Sequence, residues 1–427
     1  IEYRAVLFPE PEAPLASYEA EFLLDFRDVF YADAIRDTFA WYAQMPAYRV
    51  GDVPAAAFDP LYSFWYSYHQ DVFAAPVEAE CAEAARFGMK VAILDDGWQT
   101  DDHNRGYAFC GDWNVSTNRF PDFAAHVARV QALGLKYMIW YSVPYVGVKS
   151  ANYARFKGKY LWFHAEHEAG VLDPRFPEVR EFLIGKYEAA MRDWGLDGLK
   201  LDFIDAMHFQ GPDPAVKENY AGRDIKSLPL AVDRLMTDVR ARLQTIKKDV
   251  LVEFRQPYIG PAIRKYGNML RACDCPMDPL MNRVRTIDLR LTSGEVAVHA
   301  DMLEWDAGDT PEGASKQFWS ILFSVPQISV RLAEIPASHR AKLKEMLDFW
   351  MAHRDTLVKG TLRPMRPDLN YPVVHAEGNG EQVIAVYDAG QVADIDRARG
   401  EDVYLVKATD ATRLVVREDG AVREVAV

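Results

Sequence analysis

Two textures alternate between Leu61 and Arg331. Short, near-continuous apolar runs rich in β-branched and aromatic residues give way to longer stretches whose apolar positions recur at helical spacing. Eight of the runs read as strands, at 61–68, 91–95, 136–142, 198–203, 250–255, 269–273, 296–301 and 327–331. Helices are expected at 77–87, 123–133, 177–194, 230–246 and 314–323. Strands that are apolar on both faces and followed by helices belong to a parallel sheet covered on both sides. Eight such units in succession predict an α/β fold closed as a (β/α)8 TIM barrel, expected to fill residues 58–358. No GxGxxG follows the first strand to favour a dinucleotide-binding sheet.

The flanks differ in texture. Residues 1–57 carry strand-like runs at 1–8 and 19–25 and a helical stretch at 31–43, read as an N-terminal β-rich segment and connector. Over 359–427 short alternating runs at 373–376, 382–387, 402–407 and 412–416 are separated by Gly- and Asp-rich turns. They predict a small antiparallel C-terminal β-sandwich.

Composition narrows the partners. A net charge of −14 disfavours nucleic acid and anionic membrane surfaces. No segment reaches the roughly 18 apolar residues of a membrane span. Four cysteines are too few for a disulfide scaffold, and Cys273-Asp274-Cys275 lacks further ligands at metal spacing, so neither metal nor cofactor is expected. The chain opens on Ile1; an upstream piece is expected, with the compartment open between cytoplasm and periplasm or secretion. Oligomeric state is unwritten in these residues.

In a parallel barrel the chemistry gathers at the C-terminal ends of the strands, and here those ends carry carboxylates. Strand two ends in Asp95-Asp96-Gly97-Trp98, strand four in Lys200-Leu201-Asp202, strand six in Arg271-Ala272-Cys273-Asp274, and strand seven in His299-Ala300-Asp301. One terminal Asp is commonly a helix cap. Four mouths carrying acids, two with a cation just before, concentrate charge where it is costly unless used. Three chemistries suit such a cluster: a metal site, for which His299 is the one nearby histidine; proton transfer or Schiff-base chemistry at Lys200; and glycoside hydrolysis by two facing carboxylates. Strands four and six are next-but-one neighbours, so Asp202 and Asp274 can face each other across the mouth.

These residues also carry a family resemblance. Asp95-Asp96-Gly97-Trp98-Gln99, Gly111-Asp112-Trp113 with Arg119-Phe120-Pro121, Leu172-Asp173-Pro174, Asp197-Gly198-Leu199-Lys200-Leu201-Asp202 and Arg271-Ala272-Cys273-Asp274 occur in order on the predicted strands and loops. Together they resemble melibiase-type α-galactosidases, glycoside hydrolase family 36, including the raffinose-synthase-like branch. The resemblance implies Asp202 as nucleophile and Asp274 as general acid/base. It implies Asp95, Asp96, Lys200 and Arg271 as hydroxyl ligands, with Trp98, Trp113 and Trp140 as candidate ring platforms, and a small-molecule carbohydrate as the expected partner; Asp301, at the mouth of strand seven, is a further candidate substrate contact.

Two departures stand out. Cys275 occupies a position where the family usually has a second acid, which leaves Asp278 as fallback proton donor. Glu253-Phe254-Arg255-Gln256-Pro257-Tyr258 replaces a Cys- and Gly-rich loop, so Arg255 faces either a modified substrate or a barrel carboxylate. The expected activity is retaining hydrolysis of terminal α-galactosides. The alternatives are a raffinose-synthase-like galactosyltransferase, an α-glycosidase of other sugar specificity, and a non-catalytic carbohydrate-binding barrel.

Overall fold

In the computed structural model, which describes residues 5–102 and 104–426, eight short strands carry almost wholly buried side chains. They are β1 (Leu61–Ser63), β2 (Val91–Leu94), β3 (Lys136–Ser142), β4 (Gly198–Asp202), β5 (Leu251–Arg255), β6 (Met269–Arg271), β7 (Ala297–His299) and β8 (Gln327–Ile328). Burial on both faces leaves these strands no solvent side, so each lies between a packed interior and a helical coat. The sheet runs β7-β6-β5-β4-β3-β2-β1-β8 with every pairing parallel. It closes where Val325 N donates to Val298 O (2.8 Å) and Ala300 N to Val325 O (3.0 Å). The TIM barrel expected from the hydrophobic pattern is present.

Helices Ala74–Arg86, Phe123–Ala132, Pro177–Trp194, Leu228–Ile246 and Pro311–Ser320 lie where the periodicity placed them. Helices Pro279–Thr292, Ala337–Ala352 and Arg354–Lys359 complete the coat without having been anticipated. The first strand ends early: Trp65–Tyr68 is a helical turn, not strand. Between β3 and β4 the chain inserts a three-stranded antiparallel sheet, Tyr145–Gly147, Tyr160–His164 and Ala169–Leu172, with the last in the middle.

At the N-terminus helix Tyr31–Gln44 forms as expected, but the stretch 19–25 is not strand. It has no neighbour to pair with and leaves Phe26, just beyond it, 89% exposed. Residues 1–4 of the other expected strand lie outside the described residues, and 5–8 are not strand. After the barrel come two sheets. One contains Thr361–Met365, Val373–Gly378, Glu381–Val386 and Asp402–Lys407; the other contains Val392–Ile395, Arg413–Glu418 and Ala421–Ala426. They enclose Val373, Ile384, Val386, Ala393, Leu414 and Val416. Pairing is antiparallel except between Glu381–Val386 and Asp402–Lys407 and between Val392–Ile395 and Arg413–Glu418, which are parallel. No helix among the described residues is long and apolar enough to cross a membrane.

Candidate active site

Side chains two apart on a strand share a face, so Lys200 and Asp202 of β4, and Glu253 and Arg255 of β5, point together into the barrel. Lys200 Nζ donates to Asp95 Oδ2 at 2.5 Å, both buried. Asp95 Oδ1 accepts from the backbone of Asp96 (2.9 Å), tying the two acids into one turn at the mouth of β2. Asp96 in turn accepts from Gln70 Nε2 (2.7 Å) and Gln99 Nε2 (2.6 Å). Burial pushes the Asp96 carboxyl up to about 6; the two amides oppose the rise and Asp95 adds to it.

Asp202 sits between two donors. Arg255 Nε reaches Oδ1 at 2.7 Å and Trp140 Nε1 reaches Oδ2 at 3.0 Å, while Phe203 N also donates to Oδ1 at 2.8 Å. Burial alone would raise this carboxyl, but Arg255 and Lys200 outweigh it and hold Asp202 below the usual carboxylate range. Asp274, beyond the end of β6, accepts from Arg271 Nη2 at 2.8 Å with its side chain 47% exposed. Burial opposes ionisation there too, yet Arg271, and behind it Lys200 and Arg255, bring it down to about 2.

These groups line one pocket of about 360 Å³: Asp95, Asp96, Trp140, Lys200, Asp202, Arg255, Arg271 and Asp274, joined by Trp65, Tyr66, Arg105, Tyr107, His167, Phe203 and Pro276. The second group was not anticipated. Trp65 and Tyr66 follow β1, Arg105 and Tyr107 come from the loop after β2, and His167 from the inserted sheet. Tyr66 and the aromatic run around it was the available signal, since it ends the first strand as the acids end the others. His167 stacks on His164 (ring centroids 3.7 Å apart) and packs edge-on to Tyr107 (4.7 Å). Burial, with His164 beside it, lowers its pKa to about 4, so it is neutral at physiological pH.

Four expected site residues stand elsewhere. Trp98 is buried in the core, stacks on Trp113 and donates from Nε1 to Trp140 O (3.0 Å); Trp113 is buried with it. Neither offers a face to the pocket. Asp278 caps helix Pro279–Thr292, accepting from Met281 N at 2.9 Å, and is absent from the pocket wall. Asp301 is fully buried beneath the pocket, bonded to Arg271 and accepting from Tyr66 Oη (2.8 Å). Arg255 meets a barrel carboxylate, Asp202. Its other bond runs from Nη1 to Gln256 O at 2.9 Å. Among the described residues no group of three or more His, Cys, Asp or Glu is placed to hold a metal ion.

The Melibiase family model matches residues 61–251. α-Galactosidase C of Emericella nidulans is 25% identical over 178 residues, 38% of this chain and 24% of its own length. A probable α-galactosidase C of Aspergillus flavus is 26% identical over 178 residues, 38% and 23% of the two lengths. The matched stretch therefore spans about a quarter of these relatives. An α-galactosidase structure from Lactobacillus brevis superposes with a TM-score of 0.64 at 17% identity, covering 82% of this chain and 48% of that one. A family 36 α-galactosidase from Geobacillus stearothermophilus gives 0.63 at 17%, covering 81% and 49%. The chain thus spans about half the length of these structural relatives.

Proposed function

We propose that this protein, whose residues 61–251 match the Melibiase family model, is a retaining α-galactosidase with Asp202 as nucleophile and Asp274 as acid/base. The observation that carries the reading is the pairing of these two carboxylates in one pocket. One is held ionised between Arg255 and Trp140, the other stands on the more open side beside Arg271. Hydrolysis with retention needs such a pair about 5–5.5 Å apart.

In the first half-reaction Asp202 attacks the anomeric carbon, the glycosidic C–O bond breaks, and Asp274 gives its proton to the departing oxygen. A glycosyl ester on Asp202 remains. In the second, Asp274 takes a proton from water, the oxygen attacks the same carbon, and the ester bond breaks to return the Asp202 carboxylate. Two inversions leave the configuration unchanged. Asp95 and Asp96, fixed by Lys200, Gln70 and Gln99, accept hydrogen bonds from distal hydroxyls of the sugar, and Trp140 supplies an apolar wall. Arg255 lowers the proton affinity of the nucleophile, so Asp202 is ready at mildly acidic pH.

The test is release from a panel of nitrophenyl α- and β-glycosides, with and without EDTA. The α-galactoside is expected to react fastest and indifferently to the chelator. Asp202→Asn should lower kcat by at least about 10⁴ while leaving the thermal midpoint within a few degrees. Residual turnover near the parent's would reassign the nucleophile. Release of another sugar, or transfer to a sugar acceptor in place of water, would keep the mechanism and change the specificity.

A further inference from the structure

Asp301 has no exposed surface, so it does not touch a sugar; what it touches is the support of Asp274. The Arg271 guanidinium, itself buried, is shared by carboxylates from three places. Nη2 bonds Asp274 at 2.8 Å, Nη1 bonds Asp301, and Nε faces Glu253 of β5 at 3.7 Å. Asp301 grips the same loop a second time, because its Oδ2 accepts from the Cys275 backbone N–H at 2.5 Å, one residue beyond Asp274. Its own main chain is pinned by Asn282, which accepts from Asp301 N at 3.1 Å and donates to Asp301 O at 3.0 Å.

This arrangement answers a difficulty in the chemistry. An acid must carry a proton when the glycosidic bond breaks, yet beside Arg271 Asp274 is ionised. Protonating it removes one of the negative charges that compensate a buried guanidinium, and an uncompensated buried charge is strongly unfavourable. We propose that Asp301 is a positioning residue for the acid/base step, the standing counter-charge that keeps Arg271 compensated while Asp274 carries the proton. The proposal rests on the reading of Asp274 as acid/base.

The other groups around Asp274 set the direction of the effect. Lys200 of β4 and Arg255 of β5 favour its ionised form, as Arg271 does. Asp301 and Glu253 oppose them from beneath, Asp202 shares the pocket, and Tyr66 Oη donates to Asp301 at 2.8 Å. Arg285 donates to the main-chain oxygens of Cys273 (3.1 Å) and Asp274 (2.9 Å) and faces the Cys275 thiol. Burial raises the carboxyl of Asp301, Arg271 pulls it back and Asp274 adds to the rise, so the two acids are linked through the cation they share. Removing the Asp301 charge leaves Arg271 to Asp274 and the more distant Glu253. The proton affinity of Asp274 falls, and the alkaline limb of the pH–rate profile, where the acid loses its proton, moves to lower pH.

The experiment compares Asp301→Asn with the parent on two α-galactosides, one with an alkyl leaving group and one with dinitrophenol, in the parent and in the Asp274→Ala background. The expected result is a fall in kcat/KM of about 100-fold for the alkyl galactoside and less than about 5-fold for the dinitrophenyl one. The alkaline limb should move down by about one pH unit, and no further loss should appear once Asp274 is already Ala. Tyr66→Phe removes one donor to Asp301, raises its proton affinity and so weakens it as counter-charge; it is expected to shift the limb the same way by less, and it reads the effect should Asp301→Asn not fold. Equal losses on both substrates, an unmoved alkaline limb, or an additional loss in the Asp274→Ala background would overturn the proposal. The Asp274→Ala single variant tests the underlying reading separately. If it slows both leaving groups alike and azide yields no galactosyl azide, the acid/base assignment itself is wrong.

Discussion

Asp96 shows how a single side chain carries both site and stability. Its carboxyl is buried at the mouth of β2 between two glutamine amides, and burial pushes it up to about 6 from an ordinary 3.8. A carboxyl raised on folding contributes stability that is complete below the unfolded value and lost as pH rises through the folded one. A rise of about two units is worth about 3 kcal/mol, at 1.36 kcal/mol per unit. Asp96→Asn removes the ionising group at the loss of one amide contact, because Gln70 Oε1 and Gln99 Oε1 already accept from the Arg105 and Gly97 N–H groups. The variant is expected to be more stable than the parent at pH 8, by about 1–3 kcal/mol, and to lose that advantage by about pH 3, below the unfolded value. Thermal unfolding at the two pH values checks this, and a parent whose midpoint is flat between them would rule the account out. Residue types at strand ends announced this corner of the pocket: Asp95, Asp96, Lys200, Asp202, Arg271 and Asp274 gather in one place. What the residues could not announce was contact. Trp98 and Trp113 looked like platforms because they are aromatic and close in sequence to the acids, but packing against Tyr141 and Phe123 takes their faces. Asp301 looked like a sugar ligand, and only its burial shows that it serves Arg271.

At the scale of elements, the barrel strands were legible because their side chains are buried on both faces, which leaves an apolar run with no polar alternation to confuse it. Helix Pro279–Thr292 was missed because Asn282, Arg283, Arg285, Asp288 and Arg290 interrupt its apolar stripe; several of these meet neighbouring elements, not water. The inserted sheet was missed because its strands are short, three to five residues each, too few to show an alternation. Its placement depends on close approach. Gly147 N donates to Cys110 O and Lys149 N to Ala108 O, each at 2.9 Å, which lays the insert against the loop carrying Tyr107. A Cβ at Gly147 would stand 2.1 Å from Ala108 O and 2.4 Å from Tyr107 O. Gly147→Ala must therefore displace the backbone of a pocket wall. It is expected to cost about 1–3 kcal/mol and to lower kcat/KM at least about 10-fold. Gly158→Ala, in the same insert with nothing within 4 Å of the added carbon but a φ of +81°, should cost about 1 kcal/mol and leave kcat/KM unchanged. Parallel melting curves and kinetics on the two variants separate the site effect from the fold effect. Equal kinetic losses would show that the insert does not shape the pocket.

Across the whole molecule, the barrel and the first C-terminal sheet share one apolar core that takes in Leu362, Val374, Ala376, Val383 and Ala385, and they are joined as well through main-chain carbonyls that a few side chains collect. Arg290, from the helix before β7, donates from Nη1 to Phe323 O (2.7 Å) and Leu357 O (2.5 Å) and from Nη2 to Gly360 O (3.1 Å). The first carbonyl belongs to the barrel and the last to the approach to the first sandwich strand. Helix Tyr31–Gln44 reaches the same strand, with Arg36 Nη1 donating to Leu362 O (2.8 Å) and Tyr31 Oη to Pro364 O (2.6 Å). Tyr387 Oη to Trp319 O (2.9 Å) and Tyr371 Oη to Asp288 Oδ1 (2.6 Å) tie later sandwich residues to barrel helices. A junction built from directional bonds transmits unfolding between its two sides, so the parent is expected to melt in one calorimetric transition. Arg290→Met preserves much of the apolar stem but leaves three carbonyls without their charged donor. Losing donors from partly buried acceptors costs about 1–3 kcal/mol for each one that water fails to reach, and a net loss of about 2–4 kcal/mol is expected here. It falls on the junction, so the single transition should split, the sandwich melting first. Activity should survive that first transition, because every residue lining the pocket is on the barrel side. One undivided transition at the parent's midpoint would mean that apolar packing, and not the Arg290 bonds, couples the two halves.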